Sequence, residues 1–212
     1  PYGVKQSSWR DGKGDIVGDF VASCHKYGIA PGLFIGLRNN CWWNVDQYKI
    51  RNGDSAQQAI YNRVCEQQVE ELCTHYGPLF EIWIEGGVIS PEEGGPDILP
   101  IIEKHQPDTI FYHSPARGDH RWVGNEKGIA GYPCWSTMPH RGGRTAHDTD
   151  SYTTLLPNGD PEGQFWTPAM CDVPLRDHRW FWHPEQDQLL RNTDALVDMY
   201  YQQQIQYQQH SM

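Results

Sequence analysis

Apolar residues recur at helical spacing in four stretches of the chain, with short apolar runs between them. Ile16, Val17, Phe20, Val21 and Cys24 predict a helix behind Asp15 as N-cap, closed by Gly28 after Lys26 and Tyr27. Ile60, Val64, Val69 and Leu72 predict a second, capped by Ser55 and stopped at Gly77 and Pro78. Ile98, Leu99, Ile101 and Ile102 predict a third over residues 96–105. Ala195, Leu196, Met199 and Tyr200 mark the buried face of a last helix that begins at Asn192 or Thr193. The runs at 29–37, 79–85 and 109–113 predict strands, and two more are expected over 128–135 and 164–168. Helix and strand alternate with short joints, the pattern of a parallel α/β sheet or barrel. Residues 139–163 predict a long polar surface loop, and residues 202–212 form a Gln-rich, low-complexity tail, disordered or a frayed helical extension.

One run stands apart. From Leu79 to Glu85, alternation puts Phe80, Ile82 and Ile84 on one face and Glu81, Trp83 and Glu85 on the other. Gly86 and Gly87 then stop the strand. A Trp between two carboxylates suits the polar inside of a barrel near its mouth. There, a carboxylate at the C-terminal end of a strand is placed for catalysis. An edge strand with a solvated acidic face carries the same pattern. Residues 38–54, with Cys41, Trp42, Trp43 and Tyr48, read as an aromatic loop that either lines a pocket or packs as a lid on its own domain.

Composition narrows the class. The 212 residues are only 38% hydrophobic, yet include nine Trp and eleven Tyr, so the apolar content is concentrated in aromatic rings. Such rings stack on sugar faces, a correlation that favours carbohydrate chemistry. A net charge of −10 argues against nucleic-acid and anionic-membrane partners. No apolar run approaches the roughly 20 residues of a membrane helix. The six cysteines form no Cys-x-x-Cys pair. Cys65 and Cys73 fall about 12 Å apart along a helix, too far to bridge. An even count is compatible with an oxidising compartment. The chain opens at Pro1 with no signal-peptide pattern, so the natural N-terminus is expected elsewhere or removed.

Several words in order resemble glycoside hydrolase family 29, the α-L-fucosidases. Residues 11–17 resemble its DGKGDxV helix entry, residues 26–33 its KYGLxxGLY strand, and residues 76–85 its YGPxxEIWFDG strand. Gln106-Pro107-Asp108 and the RWVGNE word at 121–126 follow, and residues 166–182 resemble a later WxPAExDxxLRxxWFW segment. The resemblance implies a (β/α)8 TIM-like barrel over residues 1–201 and retaining hydrolysis of α-L-fucosides from glycans. Retention needs two carboxyl groups about 5–5.5 Å apart, one attacking the anomeric carbon and one protonating the leaving oxygen. By this resemblance Glu85 takes the nucleophile seat and Glu126 that of the general acid/base, a loop-anchoring carboxylate being the other reading of Glu126. Substrate contacts are implied for Trp83, Glu81, Arg121, Trp122, Trp135 and Trp166, with a structural role for Arg121 equally open. The resemblance implies no metal and no cofactor, so His113, Asp172, Arg176 and the cluster from His147 to Asp150 read as scattered polar loop residues. It further implies a fucosylated oligosaccharide or glycoprotein partner and an extracellular or lysosomal location.

Three departures qualify that resemblance. The family pattern has Asp where this chain has Glu85, and one methylene moves a carboxylate by about 1.5 Å. A shift near 1 Å can cost on the order of 100-fold in rate. Either the pocket has shifted to suit Glu, or the protein is a catalytically weak or inactive relative that binds fucosylated glycans or serves in an assembly. Met170 stands where the later word usually has Glu. Last, the family's strands one and two (the HHDG word among them) and its strand eight have no counterpart here. An incomplete barrel of about five strands is therefore expected, with raw edges that a protein partner or oligomer would cover.

Overall fold

A computed structural model describes residues 4–141 and 154–209, with side chains as far as Tyr201. Asp15 caps helix α1 (Ile16–Lys26), its carboxylate accepting from Gly18 N at 2.9 Å. The helix ends where Gly28, at φ 68°, lets Ile29 N reach Cys24 O and Gly28 N reach His25 O, closing a Schellman motif. The chain then enters strand β1 (Gly32–Gly36). The aromatic loop expected at 38–54 contains a hairpin, β2 (Val45–Asp46) and β3 (Lys49–Ile50). Helix α2 (Ser55–His75) follows, strand β4 (Glu81–Glu85) after it, then α3 (Leu99–His105) and β5 (Ile110–Tyr112). β1, β4 and β5 form one sheet with β4 in the centre, and β1 pairs β4 in parallel.

Several expectations are corrected. The cap of α2 is Asp54, which accepts from Ala56 N and Gln57 N at 2.9 and 3.0 Å, and Ser55 is the first helical residue. The buried seam of α2 is Tyr61, Cys65, Val69 and Cys73, spaced four apart, while Ile60 faces solvent. That seam shares one core with Ile35, Ile82, Ile84, Ile98 and Ile102. Phe80 is exposed, ahead of the first residue of β4. Buried Gln106 joins α2 to β4: its amide nitrogen donates to Cys73 O (2.7 Å) and Gly77 O (2.9 Å), and its oxygen accepts from Leu79 N at 2.9 Å. Three backbone groups between the elements are thereby paired, two of them buried.

The chain divides into two compact units, Pro1–Phe111 and Tyr112–Met212. The second contains short strands: β6 (Arg121–Trp122), β7 (Thr137–Met138), β8 (Phe165–Trp166) and β9 (Ala169–Met170). β6 pairs β9 in parallel, and β7 pairs β8 antiparallel. No strand occupies 128–135, where Gly128 sits at φ 74° and Pro133 lacks an amide proton. Helix α4 (Thr193–Gln209) is capped by Asn192, whose side chain accepts from Ala195 N at 2.9 Å, and it extends into the Gln-rich tail. Tyr200, expected in its buried face, is exposed. The architecture is mixed α/β, and among the described residues the largest sheet has three strands. No described helix is long and apolar enough to cross a membrane. All six cysteines are free, including the buried Cys65 and Cys73.

Candidate active site

Glu85 ends the central strand of the parallel sheet, with Gly36 as its partner across from it. The register pairs Phe34 with Trp83 and Gly32 with Glu81, so Phe34, Glu81, Trp83 and Glu85 share one face. Ile82 and Ile84 point the other way, into the core. The alternation read from the sequence is therefore present, and the acidic face carries two stacked rings: Phe34 and Trp83 lie 6.1 Å apart at 28°. Glu81, Trp83 and Glu85 are each half-buried. Gly32 makes room for this face, since a Cβ there would stand 3.2 Å from Glu81 Cβ.

Beyond Glu85 the chain turns at Gly86 and Gly87, with φ of 62° and 77°. A Cβ on Gly86 would also stand 2.9 Å from Arg38 Cδ, so a larger residue would strain the backbone and push the Arg38 side chain aside. Tyr48 comes from the β2–β3 turn and donates its hydroxyl to Gly86 O. Both central residues of that turn, Gln47 and Tyr48, have positive φ, 50° and 71°. Left-handed backbone costs a non-glycine residue roughly 1–2 kcal/mol. Tyr48 is only 2% exposed, and its burial and hydrogen bond offset that cost. Arg38 stacks two donors on Gln47 Oε1, at 2.9 and 2.6 Å. Burial pushes the Tyr48 hydroxyl up to about 12; Arg38 opposes this and the Glu85 carboxylate adds to it. Glu85, Arg38 and Tyr48 thus share one electrostatic neighbourhood. A half-buried carboxylate beside an aromatic face is equipped to attack or stabilise an electron-poor carbon of a sugar ring.

The second unit holds the other predicted group. Glu126 is exposed, in the loop that follows β6. It lines a cleft of about 560 Å³ together with Asn125, Lys127, Asp177, His178 and Arg191. Trp122 Nε1 donates to Asp172 Oδ1 at 2.7 Å. Burial pushes the Asp172 carboxyl above the usual aspartate range against the Trp122 hydrogen bond and a backbone hydrogen bond, and Glu126 pushes it the same way as burial. The cleft on the first unit, about 430 Å³, is lined by Cys73, Gly77, Leu79, His105 and Gln106. It lies at the N-terminal end of the strands, away from Glu85, where side chains serve stability.

The remaining predicted residues are dispersed. Arg121 is fully buried; it donates to Leu156 O and Thr167 O, both at 2.9 Å, and to Cys134 Sγ at 3.2 Å. A guanidinium enclosed in this way is an internal tie of the second unit, and the expected substrate contact is corrected accordingly. Trp135 is half-buried ahead of β7, and Trp166 is 70% exposed on β8. The cluster from His147 to Asp150 lies outside the described residues. Tyr48, Arg38 and Phe34 belong to the Glu85 neighbourhood without having been singled out for it. The aromatic richness of 38–54 pointed only toward Tyr48. Asp172 carried the signal of its place in the word at 166–182, which gave it no role.

The chain matches known proteins over most of its length. No family model matches the chain. It is 34% identical over 207 residues to a rice (Oryza sativa subsp. japonica) protein provisionally named α-L-fucosidase 1. It is 32% identical over 207 residues to α-L-fucosidase 1 of Arabidopsis thaliana. Each match takes in 94% of this chain, which spans 36% and 37% of those two relatives. A crystal structure of a Bacteroides thetaiotaomicron protein, provisionally named an α-L-fucosidase, superposes with a TM-score of 0.89 at 44% identity. It covers 95% of this chain and 48% of its own. A glycoside hydrolase 29 family member from an unknown rumen bacterium superposes at 0.69 with 27% identity, over 94% of this chain and 36% of its own. This chain, with parallel strands ending on a carboxylate beside stacked rings, is similar in sequence and fold to glycoside hydrolases of the fucosidase type. Its particular kinship is with the α-L-fucosidases of glycoside hydrolase family 29, over nearly all of its length.

Proposed function

We propose that this chain is a sector of a retaining α-L-fucosidase, a (β/α)8-like barrel of which β1, β4 and β5 are consecutive strands. Glu85 attacks the anomeric carbon, and Glu126 protonates the departing oxygen and then activates water. Trp83 and Phe34 form an apolar wall against the sugar ring, and Tyr48 and Arg38 brace the turn that aims Glu85. The substrate is a fucosylated oligosaccharide or glycoprotein, met in an extracellular or lysosomal compartment. The free edges at β1 and β5 are covered by further chain or by a partner. The observation that carries this reading is the position of Glu85: the C-terminal end of the central parallel strand, on the face of a stacked Phe34–Trp83 pair.

The test is release of nitrophenol from a nitrophenyl α-L-fucoside. Glu85→Gln is expected to lower turnover by about 10³-fold or more, with the product's anomeric configuration retained in the unmodified protein. Fucose binding without turnover in the unmodified protein would instead support the glycan-binding reading, and neither binding nor turnover would sink both.

A further inference from the structure

Glu126 sits on a short loop whose two ends are held by one residue. At the near end, β6 delivers Trp122, whose indole N–H donates to Asp172 Oδ1 at 2.7 Å. At the far end, Gly128 N donates to the backbone carbonyl of the same residue at 3.1 Å. Trp122 and Asp172 are 50 positions apart in sequence, so this is a tertiary clamp and not a local turn. Between the ends the loop is tied to itself. Asn125 Oδ1 accepts from Lys127 N at 3.0 Å, and Asn125 Nδ2 donates to Val123 O and Ile129 O, both at 3.4 Å. Gly128 closes the loop at φ 74°, with Val173 and Met199 packed where a Cβ would be, at 3.1 and 3.2 Å. The parallel pairing of β6 with β9 brings Asp172 to this place, two residues beyond the Trp122–Met170 register.

We propose that Asp172 is the positioning residue of the acid/base loop: it clamps both ends of the segment carrying Glu126. This rests on Glu126 being the acid/base. The charged surroundings single out the pair. Lys127, Asp177, His178 and Arg191 line the cleft with Glu126, and Arg191 is committed to Asp177 at 2.7 Å. On the other side the Arg121 guanidinium is turned to Cys134, near the half-buried thiol of Cys171. Of these groups, Glu126 is the one that acts on Asp172, reinforcing the effect of its burial. A loop held at both ends loses less freedom when it must present a proton at one atom, which is how orientation lowers a barrier.

Two measurements test the clamp on the whole chain. Carbon-13 NMR of the aspartate carboxyls is expected to show Asp172 titrating above the ordinary aspartate range. The Trp122 indole N–H signal should follow the same curve, and Glu126→Gln should move both to lower pH. A curve unchanged in Glu126→Gln, or an indole signal blind to it, overturns the proposal. The second measurement uses aryl α-L-fucosides with graded leaving groups. Asp172→Ala is expected to lower kcat for the poorest leaving group by about 100-fold with little change in KM. Asp172→Asn, which keeps the acceptor for Trp122, should recover most of it; equal losses in the two variants overturn the clamp. If Glu126→Gln leaves the poor leaving groups unaffected, the acid/base assignment fails, while the titration still decides the role of Asp172.

Discussion

Tyr48 shows how much one side chain is made to do beside Glu85. It occupies a backbone region that tyrosine normally avoids, is almost fully buried, and spends its hydroxyl on the carbonyl of the residue after the carboxylate. Its raised pKa has a definite sign. The folded state holds the phenol proton more tightly than the unfolded chain. Stability from this group is therefore complete below about pH 10 and is lost as the pH rises through the folded value, about 12. Since Glu85 contributes to the shift, Glu85→Gln should lower the pH at which Tyr48 ionises. The check is the ultraviolet difference titration of that variant against Tyr48→Phe; an unchanged Tyr48 transition would separate the two residues electrostatically. Arg121 teaches the opposite lesson. It was a candidate from its place in a familiar word, and all three of its guanidinium nitrogens donate inside the protein.

At the scale of elements, the helices are specified by their ends and the strands by what covers them. α1 begins after Asp15 and finishes ahead of Gly28 because a carboxylate accepts from the free amide of Gly18 and a glycine adopts the left-handed turn. α2 begins one residue earlier than its serine suggests, because Asp54 reaches two amides at once. Asp54→Ala should destabilise the first unit by about 1 kcal/mol, read as a lowered urea midpoint with unchanged slope. The same substitution at Ser55 should have little effect, since Ser55 is already inside the helix. The seam of α2 was misread for a related reason. Tyr61, Cys65 and Cys73 are weak apolar signals, yet they are the ones that meet β4, while Ile60 does not. Burial of the Cys65 and Cys73 thiols pushes both up to about 11, which leaves them protonated and inert at neutral pH.

For the molecule as a whole, the two carboxylates of the proposed reaction belong to different compact units, and each unit prepares its own. The first supplies a rigid sheet with a large aliphatic core behind Glu85. The second has a small core of Val123, Ala130 and Cys134 and relies on polar ties, chiefly Arg121 and Asp172. That difference gives a pH signature. Asp172 is raised above the ordinary aspartate value, so its contribution to stability is complete below about pH 4 and is lost as the pH rises through the folded value. Asp172→Asn should flatten the pH dependence of unfolding across that window, measured by urea midpoints at several pH values. A slope identical to that of the unmodified chain would show that Asp172 ionises as freely folded as unfolded.

The sequence by itself determined the order of helix and strand in the first unit, the cap at Asp15, the two faces of residues 81–85 and the kinship with α-L-fucosidases. Each of these is local, written in periodicity, capping chemistry or an unbroken word. Only the tertiary structure decided that Arg121 is an internal tie, that Tyr48 lies against the turn after Glu85, and that Asp172 holds both ends of the Glu126 loop. Those contacts join residues far apart in the chain, and a hydrogen bond across such a gap leaves no period or spacing in the sequence. In the second unit β8 falls within the expected 164–168, while β6, β7 and β9 were missed for the same reason. A two-residue strand has too few positions to alternate, and only its partner defines it.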